Sequence, residues 1–380
     1  DAAEAEEGSR IGHRLFGAWS RLPYTTIAAV QGTCLGGGTE LSLANDYIVI
    51  SDRTDIRIGL PEVRLGIIPA WGGCSRLPTR IGVAAALDII LAGKAIRPRK
   101  AFKIGLADAL LPDASFLHLA RDFASSVANG EKRVRRQTNW KTRVLDGNPL
   151  GRGIVFSQAR KQVLAKTGGH YPAPLRALEV VEQAVSRGLQ AGLEAEARAT
   201  GELAVSPVSK NLVHVFRLME AVKNRKLTAA PRAVGAAGVV GAGVMGGGIA
   251  QLIAQRVDIP VRLKDLEPEP LASGMAHAAT LFDTQVDRRR LSRAAAKEKM
   301  NLLLPTLDYS GFERLDLVVE AIVERLDIKQ KVLAELASRV PKETVLASNT
   351  SSLSIDLIGQ NTPHPQRVVG MHFFNPVHRM

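Results

Sequence analysis

Two cysteines in 380 residues, Cys34 and Cys74, are too few for a disulfide framework or a zinc site. They suit a reducing cytosol. No window approaches the ~20 apolar residues that span a bilayer. The opening stretch, Asp1 to Arg10, is acidic and polar, unlike a signal peptide. Internal repeats are also missing. Acidic residues are the minority charge, 37 against 50 basic, which leaves a formal +13. Ten Lys/Arg fall between Glu131 and His170 (Arg133, Arg135, Arg136 and Lys161 among them), opposed by Glu131 and Asp146. Such a patch attracts nucleic acid, anionic lipid or a phosphorylated coenzyme, and equally describes an arginine-rich solvated surface. It lacks a nucleic-acid motif and the interleaved aromatics of single-strand binders, so nucleic acid is not expected as a partner.

What is present is glycine at particular spacings. Gly241, Gly243 and Gly246 stand as GxGxxG between an apolar run, Ala236 to Val240, and a helix-like run, Ile249 to Gln255. The first glycine allows the tight turn out of the strand. The second lets a pyrophosphate approach bare backbone, and the third lets the helix pack close to the strand. The helix then aims its first N–H groups at the phosphates. A second apolar run, Val261 to Leu263, leads to Asp265, where a carboxylate accepts ribose hydroxyls and repels a 2′-phosphate. Strand, glycines, helix, strand and acid in that order point to NAD.

The first 130 residues carry a second glycine cluster. A short strand, Thr26 to Val30, precedes Gly36-Gly37-Gly38, and Leu41 to Ala44 reads as the start of a helix. Bare amides at a helix's positive end can stabilise an oxyanion. Glu40 and Glu62 flank this cluster. A carboxyl pair divides acid and base work when its surroundings separate the two proton affinities. Surface or helix-capping glutamates are the alternative.

"AAVQGTCLGGGTELSLANDY" and "RIGLPEVRLGIIPAWGG" resemble the signature of the enoyl-CoA hydratase/isomerase (crotonase) family. That resemblance implies a spiral of ββα units. It also implies an oxyanion hole with Gly37 as one donor, the other lying upstream of Asp1. Glu40 would activate water for attack at C3 and Glu62 would deliver the proton to C2. The Glu40–Glu62 interval is about two residues longer than the family pattern. Ala70 and Trp71 depart from it and bear on the acyl pocket.

Between 131 and 232 the pattern is helical. Leu178, Val181, Val185 and Leu189 share one face of a helix read as Leu175 to Arg198, with Glu194, Glu196 and Arg198 on its polar side. Lys210 to Lys226 is a second amphipathic candidate. "HYPAP", from His170, resembles the linker of the large (alpha) subunit of multifunctional fatty-acid β-oxidation complexes.

In the last segment strands are expected over Arg314 to Val323, Thr344 to Ser348 and Val368 to His372, with a helix over Lys329 to Val340. Polar residues recur at the strand ends, where open α/β sheets bind ligands. "VVEAIVE", "LASNTSSL" and "GMHFFNPV" resemble 3-hydroxyacyl-CoA dehydrogenase. By that resemblance His372 is the general base for the substrate's 3-hydroxyl, a task suited to neutral imidazole. Ser351 and Asn375 contact substrate. Met245, Glu324, Lys329, Asn349 and Ser351 contact the cofactor.

The expected architecture is therefore α/β. Residues 1–130 form a truncated crotonase-like domain, 131–232 a helical linker, and 233–380 a Rossmann-type doubly wound NAD-binding domain. The resemblance implies hydration of trans-2-enoyl-CoA, then NAD-dependent oxidation to 3-ketoacyl-CoA, with no metal. It further implies a thiolase (beta) subunit as partner, a cytoplasmic setting and at most peripheral membrane association. Alternatives are isomerase chemistry at the first site, an inactive CoA/NAD-binding fragment, or a non-enzymatic binder using the +13 charge. Neither end looks natural: the chain opens without Met and stops just after a strand-like run. Weak oxidation is accordingly expected, since the histidine's glutamate partner lies further downstream in the family.

Overall fold

The computed structural model describes residues 1–131, 134, 148–225 and 230–378. Arg133, Arg135, Arg136 and much of the basic stretch lie outside them. The chain divides into two compact units, residues 1–226 and 227–380.

Unit 1 opens with α1 (Ala2–Trp19). Asp1 and Glu4 close a reciprocal capping box at its start. β1 (Ile27–Val30), β3 (Tyr47–Ser51) and β6 (Ala109–Leu111) form a parallel sheet in the order β1-β3-β6. A second sheet joins β2 (Cys34–Leu35), β4 (Ile58–Gly59) and β5 (Ala95–Ile96), parallel at β2–β4 and antiparallel at β4–β5. Short helices fill the connections: α2 (Gly37–Leu43), α3 (Gly73–Ile81), α4 (Val83–Ile90), α5 (Pro98–Lys103) and α6 (Phe116–Ala128).

Four longer helices follow: α7 (Pro149–Thr167), α8 (Pro172–Arg187), α9 (Leu189–Ala204) and α10 (Pro207–Lys223). The first three belong to the same core as the sheets, whereas α10 buries only Ser209. Phe156, Leu178, Val181 and Leu203 pack in one cluster with Ile48, Ile58, Leu77 and Ile90. Each fully buried aliphatic side chain contributes roughly 1.5–3 kcal/mol. The described part of the stretch read as a linker thus supplies core to unit 1.

The single helix expected over Leu175 to Arg198 is two. Gly188, at φ +92, adopts a backbone shape that favours glycine and breaks the run between α8 and α9. Glu196, on the second of these helices, is also placed differently from the expectation. It does not line a polar side; its exposure is zero.

Unit 2 is one parallel six-stranded sheet: β7 (Ala237–Val240), β8 (Val261–Lys264), β9 (Leu303–Thr306), β10 (Leu317–Glu320), β11 (Val345–Ser348) and β12 (Val368–Gly370). The order across it is β12-β11-β10-β7-β8-β9. This is the doubly wound order, reversing direction between β7 and β10. The connecting helices are α11 (Val244–Arg256), α12 (Pro268–Asp287), α13 (Arg293–Met300), α14 (Leu326–Arg339) and α15 (Ile355–Gly359). Strand interiors such as Val239, Leu263, Val318 and Leu346 are fully buried, which explains their unbroken apolar runs. β10 is shorter than the expected Arg314 to Val323, and β12 ends before His372. The polar residues beyond those strand ends therefore sit on loops at the sheet's carboxyl edge.

Candidate active sites

In unit 1 the decisive local feature is Gly36. Its φ of +59 turns the chain so that α2 begins at Gly37, not at Leu41 as expected. Gly37 and Gly38 are thus in the first helical turn, where N–H groups lack intrahelical acceptors. A Cβ at Gly36 would stand 3.1 Å from Glu62 Oε1, so the Glu62 carboxyl lies directly against this turn.

The same helix carries Glu40 inward to 3% exposure. Its Oε1 accepts hydrogen bonds from the Trp71 N–H at 2.7 Å and the Gly73 N–H at 2.9 Å. Burial, the Glu196 charge and then the Glu62 charge raise Glu40's proton affinity well above the ordinary glutamate range, and the two amides only partly oppose this. Glu62 opens a 3-10 turn, Glu62–Leu65, and its Oε2 is buried without a hydrogen-bond partner. Burial chiefly, with Glu196 adding, pushes its pKa up to about 7. The two carboxyls therefore sit close enough to act on each other, and burial raises the proton affinity of both. The Trp71 indole covers Gly37, where an added Cβ would come within 2.7 Å of its ring.

Two residues near this pair were not expected. Glu196 of α9 accepts from the Ser75 hydroxyl at 3.0 Å and from the Gly72 N–H. His13 of α1 places Nε2 3.1 Å from Glu196 Oε1. The sequence held one signal: Glu196 sits among Ala195, Ala197, Ala199 and Gly192, small residues that let a helix approach closely.

In unit 2 the glycine turn follows β7. Gly241 has φ +95, and a Cβ there would meet the Ala321 carbonyl at 2.7 Å. At Gly246 a Cβ would fall 1.7 Å from the Gly241 oxygen, so strand and helix touch through bare backbone. Gly243 differs: no protein atom lies within 4 Å of a Cβ built there. That open cradle at the head of α11 fits a diphosphate. α11 begins at Val244, ahead of the expected Ile249, and Met245 sits in its first turn, half-buried. Asp265 follows β8. Its Oδ2 accepts from the Ala242 N–H at 2.6 Å and its Oδ1 from the Leu266 N–H at 2.7 Å. The acid is thereby tied to the glycine turn.

Across the sheet, Glu324 Oε1 accepts from Thr350 Oγ1 at 2.6 Å and the Ser351 N–H at 2.9 Å. Burial raises its proton affinity, but Thr350, the Ser351 amide and Lys329 outweigh it and lower the pKa. Lys329 is 1% exposed; its Nζ lies 2.6 Å from Glu320 Oε1 and 3.3 Å from Glu324 Oε2. Glu320, also missed, is fully buried and further accepts from Ser348 Oγ at 2.7 Å. Asn349 Oδ1 accepts from the Phe373 N–H at 2.7 Å, which steers the loop bearing His372. Ser351 Oγ is 3.1 Å from His372 Nε2, and both residues are exposed. Asn375 follows on that loop, exposed, before a cis peptide bond to Pro376.

Residues 4–158 match the family described as enoyl-CoA hydratase/isomerase, and residues 236–380 match that described as 3-hydroxyacyl-CoA dehydrogenase, NAD binding domain. The chain joins a hydratase/isomerase-family domain to a 3-hydroxyacyl-CoA dehydrogenase NAD-binding domain. It is 42% identical, over its whole length, to the fatty acid oxidation complex subunit alpha of Vibrio vulnificus. Against the subunit of the same name from Shewanella amazonensis it is 39% identical, again over all of the chain. The chain spans about half of each relative, 54% in both cases. A solved 3-hydroxybutyryl-CoA dehydrogenase from Escherichia coli is 36% identical over 39% of this chain and 31% of its own, with a TM-score of 0.38. Among the described residues no helix is long and apolar enough to cross a membrane, and no group of three His, Cys, Asp or Glu could hold a metal.

Proposed function

We propose that the hydratase-family unit adds water to trans-2-enoyl-CoA and that the dehydrogenase unit serves NAD-dependent oxidation of the resulting 3-hydroxyacyl-CoA to 3-ketoacyl-CoA. The observation that carries the reading is the Glu40–Glu62 pair, buried against the Gly36–Gly37 turn with one carboxyl near pKa 7. Such a pair supplies a base and an acid at neutral pH. Glu40, oriented by two amides, takes a proton from water as its oxygen bonds to C3. The Gly37 N–H stabilises the negative charge on the thioester oxygen. Glu62 gives its proton to C2, and one proton passing from Glu40 to Glu62 resets the site.

At the second site the open cradle at Gly243 and the tethered Asp265 fit the diphosphate and ribose of NAD. Bound NAD supplies the hydride acceptor for C3. His372 takes the 3-hydroxyl proton, and Ser351 hydrogen-bonds the same oxygen. Asn375 contacts substrate. Asn349 and Glu324 shape the cofactor side, with Lys329 acting through Glu324.

Relatives named as the alpha subunit of a complex support a partner subunit, and a 3-ketoacyl-CoA product calls for a thiolase. Two free cysteines support a cytoplasmic setting.

The test is to incubate the chain with a short trans-2-enoyl-CoA and follow loss of the enoyl-thioester absorbance. Hydration that disappears in Glu40→Gln supports the reading. Double-bond migration without hydration would replace it with isomerase chemistry. NAD, but not NADP, should raise the unfolding midpoint of unit 2.

A further inference from the structure

The turn Trp71-Gly72-Gly73 offers three successive backbone N–H groups, and two carboxylates divide them. Glu40 takes the first and third. Glu196 takes the second, and anchors itself through Ser75 Oγ at 3.0 Å and His13 Nε2 at 3.1 Å. Both carboxylates are buried, Glu196 completely. α9 approaches close enough because residue 192 is glycine: a Cβ there would meet Ser75 Oγ at 2.8 Å and the Ala184 Cβ at 2.4 Å.

A buried anion is expensive unless it is well hydrogen-bonded. A glutamine in this place would accept from Gly72 equally well and avoid that cost. The charge is what a purely structural acceptor does not need. The groups facing it are His13 from α1, Glu40 from α2, Glu62 from the 3-10 turn, and Cys74 and Arg76 from α3. Arg76 interacts with this charge electrostatically, and its buried Nε has no hydrogen-bond partner.

We propose that Glu196, anchored by His13 and Ser75, is a positioning residue for hydration: it clamps the turn that orients Glu40 and presents a fixed negative charge to Glu40 and Glu62. The inference rests on the hydration reading of that pair. Its consequence is that Glu196 raises the proton affinity of both carboxyls, which keeps Glu62 able to donate at neutral pH.

The experiment compares the chain with Glu196→Gln and Glu196→Asp, reading Glu40 and Glu62 by 13C-carboxyl NMR titration and hydration by its pH–rate profile. In Glu196→Gln both titration midpoints should fall by about one pH unit. The alkaline limb of the rate profile should move down with them, so that kcat at pH 8 drops about tenfold while KM changes little. Glu196→Asp keeps the charge with a shorter reach. Its midpoints should stay near wild type while kcat falls, because Gly72 loses its anchor. Unmoved midpoints in Glu196→Gln, or equal shifts in both variants, overturn the proposal. If Glu196→Gln does not fold, Glu196→Asp decides: wild-type kcat with wild-type midpoints refutes it. A wild-type chain without hydration would sink the proposed function, yet the substrate-free carboxyl titrations would still decide the role of Glu196.

Discussion

The two candidate sites solve opposite problems. In unit 1 the candidate groups are acids taken out of water, and burial is the largest cause of their raised proton affinity. In unit 2 His372 and Ser351 are exposed, and what is buried is the support behind them: Glu320, Lys329 and Ser348. One site is tuned by its own desolvation; the other is held in place by a desolvated frame. Changes to the first should therefore move chemistry and pH dependence together. Changes to the second should separate stability from binding.

The largest expected effect is on chemistry in unit 1. Glu40→Gln keeps an acceptor for the Trp71 and Gly73 amides but cannot take a proton. Hydration should fall roughly 10²–10⁴-fold, with an unchanged circular dichroism spectrum; a loss under tenfold would deny Glu40 the base role. In unit 2 the matching insult is structural. Lys329→Met leaves Glu320 buried without its cation and should cost about 3–5 kcal/mol in urea unfolding of that unit. If stability held, the frame would not depend on this pair.

Glu62 links stability to pH. Its folded pKa of about 7 lies above the ordinary 4.5, so the folded state holds the proton more tightly. The contribution is complete below pH 4.5 and is lost as pH rises through 7, about 3 kcal/mol in all. Glu62→Gln should flatten that slope in unit 1. A slope of the same size in the variant would assign it elsewhere.

Smaller effects sharpen the contrast. Gly243→Ala adds a methyl where no protein atom waits, so the melting temperature should hold while NAD affinity drops about tenfold, or about 1.4 kcal/mol. A stability loss instead would show that the cradle is protein-filled. His372→Ala, at an exposed position, should change stability by less than about 0.5 kcal/mol and leave NAD affinity alone while removing the proposed base. Weakened NAD binding in that variant would assign His372 to the cofactor.

How far the sequence led depended on whether a residue's task was local. The turn at Gly241 and the switch from β7 to α11 are decided within a dozen residues, and their spacing was legible. So was the juxtaposition of Glu40 with a glycine turn. Glu196 was not, because its partners Gly72, Ser75 and His13 come from two other helices and a loop far along the chain. A glutamate at a helical position reads as solvated unless those partners are known. Glu320 was hidden for the same reason inside an apolar strand, where its match is Lys329 on the next helix. Element ends failed where a backbone event set them, as at Gly36 and Gly188. Only a left-handed residue marks the boundary there, and apolar periodicity passes over it.

Cys74 sits at zero exposure beside these acids, and both burial and the charges of Glu196, Glu40 and Glu62 push its thiol up. Cys34 is only half-buried. A thiol-trapping reagent should consume Cys34 quickly and reach Cys74 only when α3 pulls away from its neighbours. The second labelling rate would then be a built-in clock for the breathing of α3 around Glu40 and Glu62.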